Sequence, residues 1–230
     1  IWVVLLIGCG VFCAAFMDAI GGGGGIISVP VYLLAGLPAH YALGTNKLSS
    51  CLGTVASTVR YIKNKYVDWS LAIPSILLAL VGAHLGTSLQ IVINEDYLKY
   101  LLILVLPAVA VLLLRQKKFP EERGEIPVWP QRAIVWSASL VIGAYDGFYG
   151  PGTGTFLIIA FTVFAGLSLR SANAQAKIIN LTTNLTSLTI FLLNGQVIFL
   201  LGLAAAVCNM AGGYLGAGLA ISKGSRITRP

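Results

Sequence analysis

Four charged residues stand in stretches that are otherwise apolar: Asp18, Lys47, Asp146 and Lys177. A charge at the centre of a bilayer helix costs at least about 2.5–3.5 kcal/mol, so each must be paired, hydrated or used. Lys47 and Lys177 lie 130 positions apart in matching surroundings. Thr45, Asn46, Ser49 and Ser50 flank the first; Asn173, Gln175, Asn180 and Asn184 flank the second. From Asn173 and Lys177 the polar residues recur at helical spacing, so they share a face that must look inward rather than at lipid. Lysines among amides and hydroxyls attract anions. A lysine near a helix end can equally snorkel to the interface, and interhelical hydrogen bonding alone accounts for several of the amides. Asp18 and Asp146 each precede a glycine-rich break. They could pair with the lysines, or one could carry a coupling proton.

The first break is "DAIGGGGGIISVP", residues 18–30, and the second is "GFYGPGTGTF", residues 147–156. Backbone that leaves the helix at membrane depth is tolerated only where protein buries it or it lines a wet cavity. Helices restart near Ile26 and near Thr155, so their N–H groups and positive dipole ends point into the breaks. Gly22, Gly23, Gly24 and Gly25, with Gly152, Thr153, Gly154 and Thr155, are therefore candidate binding residues for an anion near the midplane, together with Asn46, Lys47, Asn173, Gln175 and Lys177. No strand precedes the five glycines and no P-loop lysine follows, which excludes a nucleotide fingerprint.

These residues need a membrane scaffold. Of the 230 residues 57% are hydrophobic and 10% charged, and mean hydropathy is +0.87; soluble domains carry about 25% charged residues. The chain reads as an all-α polytopic integral membrane protein. Its net charge of +7 falls into three short clusters between apolar runs, as in cytoplasmic loops rather than a nucleic-acid surface. Apolar runs cover about 1–17, 26–37, 42–62, 69–93, 97–114, 133–149, 155–169, 172–193 and 197–222. Against the about 20 residues a crossing needs, 1–17, 26–37, 133–149 and 155–169 are short. Cys9, Cys13, Cys51 and Cys208 read as small buried packing residues. His40 falls in a loop, and His84 reads as a helix-packing group. "GAHLG" (82–86) and "GYLGAG" (213–218) read as close helix contacts. No metal, cofactor or nucleophile constellation is visible, so the chain is not read as an enzyme.

Setting residue n beside n+130 reveals a repeat: about sixteen of roughly seventy positions match, including Gly22/Gly152, Lys47/Lys177, Asn64/Asn194 and Gly86/Gly216. At this register Asp18 faces Phe148. Residues 1–114 form one repeat, 115–132 a linker and 133–230 the second repeat. The basic clusters at 60–65, 115–132 and 223–229 belong in the cytoplasm, while the 94–99 loop is net acidic. The crossings between them balance only if 133–169 returns to the face it entered. Two inverted repeats follow, each a glycine-broken re-entrant helical hairpin followed by transmembrane helices. The counterpart of 97–114 would begin at about 227, so the intact protein is expected to carry one more helix there.

The segments "GGGGGIISVPVYLLAGLPAHYALGTNKLSS" and "GPGTGTFLIIAFTVFAGLSLRSANAQAKIINL" resemble the TauE/SafE sulfite exporter family, also called the toluene sulfonate uptake permeases. The resemblance covers nearly the whole chain. It implies a bacterial plasma-membrane transporter for sulfite, sulfonates or related small sulfur anions, and extends to Gly22–Gly25, Pro30, Asn46, Lys47 and their second-half counterparts. The second half departs from the pattern: Thr153 and Thr155 interrupt its glycines, and Ala160 stands where Pro30 is matched. The expected mechanism is alternating access, one repeat rocking against the other around the hairpin tips. An anion channel with a filter at those tips is the alternative. The partners expected are a small anionic substrate and the lipid bilayer, with self-association left open and no cofactor.

Overall fold

An apolar chain in lipid coils because a helix satisfies its backbone N–H and C=O groups internally. The computed structural model describes residues 2–115 and 126–223, and no strand occurs among them. Helix α1 spans Trp2–Gly21, α2 Gly25–Leu34, α3 Ala39–Lys63, α4 Trp69–Val92 and α5 Glu95–Arg115. After the linker come α6 (Val128–Phe148), α7 (Thr153–Ile159, continued by a π-helical turn over Ala160–Phe164), α8 (Leu169–Leu193) and α9 (Phe199–Lys223). Where α2 carries Pro30, α7 gives way to the π turn at Ala160.

Four of the described helices are long and apolar enough to cross a membrane: Val4–Gly21, Trp69–Val92, Leu169–Leu193 and Phe199–Ser222. The surface agrees: Leu200 is 82% exposed and Val92 77%, while Lys177 is fully buried. Apolar outside and polar within is the partition lipid demands.

Two of the apolar runs too short for a crossing lie in longer helices. α1 continues to Gly21 because Asp18 is paired within the protein, so its charge does not end the helix. α6 begins at Val128 after Pro127, and Pro130 falls in the first turn, where a missing N–H costs little. At about 1.5 Å per residue both reach about 30 Å, a bilayer's hydrocarbon thickness. The units read as pairs of short halves thus combine one full-length helix with a short one. The acidic loop at 94–99 also contracts, leaving Glu95 and Asp96 in the first turn of α5, where the helix dipole favours them.

Helix contacts are keyed by glycine. A Cβ on Gly82 or Gly86 of α4 would strike the backbone of Leu140, Ala144 and Phe148 on α6. Gly212 and Gly216 of α9 meet Phe12 and Phe16 of α1 in the same way. We expect Gly86→Val to destabilise the protein by about 1–3 kcal/mol or more, read as a lower thermal unfolding midpoint in detergent.

The n, n+130 register extends to hydrogen bonds. Thr45 Oγ1 accepts from Ile198 N, and Gln175 Nε2 donates to Asp68 O. Asn64 Nδ2 donates to Arg60 O, and Asn194 Nδ2 to Ile190 O. For α1 and α6 the register is instead n+128: Phe16 and Ala144 take equivalent contacts from Gly216 and Gly86. The second break is two residues longer, so Asp18 corresponds to Asp146 rather than to Phe148. Helices α3 and α8 lie antiparallel, joined by Thr58 Oγ1 to Lys177 O and Asn184 Nδ2 to Thr54 Oγ1.

Several side chains differ from expectation. Cys9 and Cys13 are exposed, and only Cys51 is fully buried, because α1 turns those two positions outward. His40 lies on α3, not in a loop; its Nε2 donates to Ile93 O and its Nδ1 accepts from Gln90 Nε2. His84 is exposed on α4. Arg60 donates to Tyr214 O and stacks over the Tyr214 ring. Lys117, Lys118, Arg123, Arg226, Arg229, the side chains of Arg115 and Lys223, and the position near 227 lie outside the described residues.

Candidate functional site

Two positive-φ glycines open each break: Gly22 at +80° and Gly23 at +86°, Gly150 at +91° and Gly152 at +89°. Only glycine adopts this region without penalty. The turn at Gly22–Gly24 sends α2 back along α1, so that a Cβ on Gly24 would meet Ala14 O at 2.5 Å. The breaks then touch. A Cβ on Gly22 would collide with Gly154 and the Thr155 amide, and one on Gly25 would lie 3.0 Å from Pro151. Thr155 Oγ1 donates to Gly21 O across the junction.

The four intramembrane charges pair crosswise between the halves. Lys47 Nζ donates to Asp146 Oδ2 and to Asp146 O, each at 3.0 Å, and to Asn184 Oδ1 at 3.1 Å. Lys177 Nζ donates to Asp18 Oδ2 and Asp18 O. Each carboxylate is also held by its own break: Gly24 N donates to Asp18 Oδ1, and Thr153 Oγ1 to Asp146 Oδ1. The Lys47–Asp146 pair is buried at both ends. Removing one partner of such a pair strands the other charge at high cost.

Beside the junction lies a cavity of about 60 Å³. One water requires only about 10–15 Å³ of such space, so the cavity suits several waters or one small oxyanion. Its walls include Lys47, Asp146, Asn46, Ser50, Asn180 and Asn184. Gly23 and Gly154 are both on the wall, and their N–H groups have no backbone acceptor among the described residues. The wall carries Lys47, Asp18 and Asp146; with Lys177, which pairs with Asp18 from off the wall, the four formal charges sum to zero.

Of the residues singled out in the sequence, Asp18, Gly23, Gly24, Gly25, Asn46, Lys47, Asp146, Gly152, Thr153 and Gly154 line this cavity. Gly22, Thr155, Asn173, Gln175 and Lys177 lie off it. Gly22 and Thr155 form the junction between the breaks. Asn173 Nδ2 donates to Ile20 O, Lys177 holds Asp18, and Gln175 ties α8 to the loop before α4. Sequence reasoning missed Ser28, Thr54, Tyr149 and Asn209, all on the cavity wall. Asn209 had a readable signal, being the one asparagine in the apolar run 197–222.

Lipid-facing helices surrounding a buried, charge-balanced polar cavity between two backbone breaks define an integral membrane transport protein. The chain belongs to the Sulfite exporter TauE/SafE family, whose model matches residues 6–230. It is similar to the probable membrane transporter protein YfcA of Escherichia coli (strain K12), 34% identical over 217 residues covering 94% of this chain and 80% of that protein. A probable membrane transporter protein of Haemophilus influenzae is likewise 34% identical, over 96% of this chain and 87% of its own. The probable membrane transporter protein ORF9 of Sinorhizobium sp is 34% identical over 95% and 84%. No solved structure matches the chain.

Proposed function

We propose that this membrane transporter is a secondary carrier of a small sulfur-containing anion, of the sulfite or organosulfonate type, across the plasma membrane. The observation that carries this reading is the cavity where the two breaks meet, lined by Lys47 and by Gly23 and Gly154, whose N–H groups have no backbone acceptor among the described residues. Amide donors and a cation converging from separate helices are the chemistry that receives an oxyanion. The family's name supports the sulfur class. The antiparallel course of α3 and α8, which carry the matched lysines, supports inverted repeats with hairpins entering from opposite faces. Basic loops 60–65, 115–132 and 223–229 then face the cytoplasm. Alternating access opens the cavity to each face in turn.

The test is flux in proteoliposomes. Trapped unlabelled sulfite or methanesulfonate should drive uptake of the labelled anion by counterflow. Conduction without counterflow would replace the carrier with the channel, and no flux of sulfite, thiosulfate or sulfonates would remove the reading.

A further inference from the structure

The two Lys–Asp pairs are equivalent in register but not in surroundings. Three residues on the cavity wall are polar where their repeat counterparts are apolar: Ser28 corresponds to Ile158, Asn46 to Ala176 and Asn209 to Ala79. Ile158, Ala176 and Ala79 are packed together in one buried apolar cluster with Leu157, Phe161 and Ile179. Room and hydrogen-bonding partners for a ligand therefore exist beside Lys47, and dry packing occupies the corresponding place beside α8. Lys47 itself borders the cavity, whereas Lys177 lies off it.

Charge decides what can enter. Lys47 and Asp146 neutralise each other, and both are buried. A monoanion added to that neutral site leaves one uncompensated buried charge, which a low-dielectric interior penalises heavily. The groups facing Asp146 offer no further cation. From α3 comes Lys47; from α1 comes Asp18 across the cavity; α7 supplies Thr153 and α8 supplies Asn184. Its own helix supplies Tyr145 and Tyr149. The α4 surface packed on α6 presents Ala83, Gly86 and Thr87, and His84 is turned outward. A proton is the compensating charge within reach, and Asp146 is the base already in contact with the cation.

Building on the carrier reading above, we propose that anion and proton are taken up together at the Lys47–Asp146 pair, while Lys177–Asp18 remains closed as a strut. One proton binds Asp146 Oδ2 and forms its O–H bond. That oxygen releases Lys47 Nζ, and an oxygen of the anion accepts from Nζ in its place. No covalent bond other than O–H is made or broken, and the loaded site is again neutral. Release of the proton restores the ion pair and expels the anion.

The test uses the purified full chain and compares the pH dependence of anion binding, read by thermal stabilisation with methanesulfonate, thiosulfate and sulfite between about pH 5 and 8. Methanesulfonate does not itself titrate there. For wild type, affinity should fall about tenfold per pH unit above the titration of the site, the slope for one linked proton. Asp146→Asn should lower that slope by one proton for whichever anion binds, because a neutral amide replaces the carboxylate. His84→Gln, on the outer face of α4, leaves both ion pairs intact and should keep the wild-type slope. A second measurement does not depend on any variant folding: in wild-type proteoliposomes a trapped pH dye should report one proton moving with each methanesulfonate, or with whichever anion is carried. Equal slopes for wild type and Asp146→Asn, or anion flux without proton movement, would overturn the coupling and leave the carrier intact. Absence of stabilisation by all three anions at every pH would overturn the carrier reading instead.

Discussion

Valine in place of Gly22 should reduce anion flux by at least about a hundredfold while the protein still reaches the membrane. Two effects act together. Gly22 has φ +80°, a region that costs an L-residue roughly 1–2 kcal/mol and a β-branched residue more. Its Cβ would also fall on the backbone of Gly154 and Thr155. Backbone cannot rotate aside as a side-chain tip can, so the breaks must separate. Displacement of a binding constellation by about 1 Å can cost a hundredfold. Gly21 supplies the control. It precedes Gly22 directly and ends α1, and a Cβ there would have nothing within 4 Å, so Gly21→Ala should transport as wild type. Flux in proteoliposomes at matched protein content reads both. Wild-type flux in Gly22→Val would show that contact between the breaks is not needed.

The second large effect concerns the strut. Lys177→Met should destabilise the protein by about 3–5 kcal/mol, because it leaves Asp18 charged with Gly24 N as its remaining donor. Lys177→Met combined with Asp18→Leu should recover much of that loss, since replacing a whole buried pair by apolar groups is often neutral. The Lys177 side chain has no exposure and Asp18 retains 24%, which places the expected penalty toward the lower end. Thermal unfolding of wild type, Lys177→Met, Asp18→Leu and the double variant in one detergent measures the non-additivity. A double variant as unstable as the sum of its parts would mean the pair contributes through packing instead of charge.

The membrane class, the two breaks and the matched lysines were legible because each leaves a local mark: low charge, clustered glycine and a shared register. What escaped is tertiary or hidden by spacing. The equivalence of Asp18 with Asp146 was masked by the two extra residues of the second break, which shift the register only on the near side of the turn. The length of α1 was underestimated because Asp18 looks like a helix-ending charge until its partner, 159 positions away, is known. Asn173 and Gln175 carry the residue types of a binding site, yet they serve as braces. Nothing in their spacing separates the two uses. His40 seemed a loop residue because Gly36 and Pro38 precede it, although Pro38 directly precedes the first turn of α3. Ser28 and Thr54 resemble ordinary small polar residues in helices, and only the path of α2 and α3 past the cavity distinguishes them.

The glycine seams carry a mechanical corollary. Because α1 is keyed to α9 and α6 to α4, each hairpin is clasped by a long helix of the opposite half. Rocking of one sequence half against the other would have to open both seams. A motion that keeps them closed has to borrow members from both ends of the chain, much as two hands with interlaced fingers move only as exchanged sets.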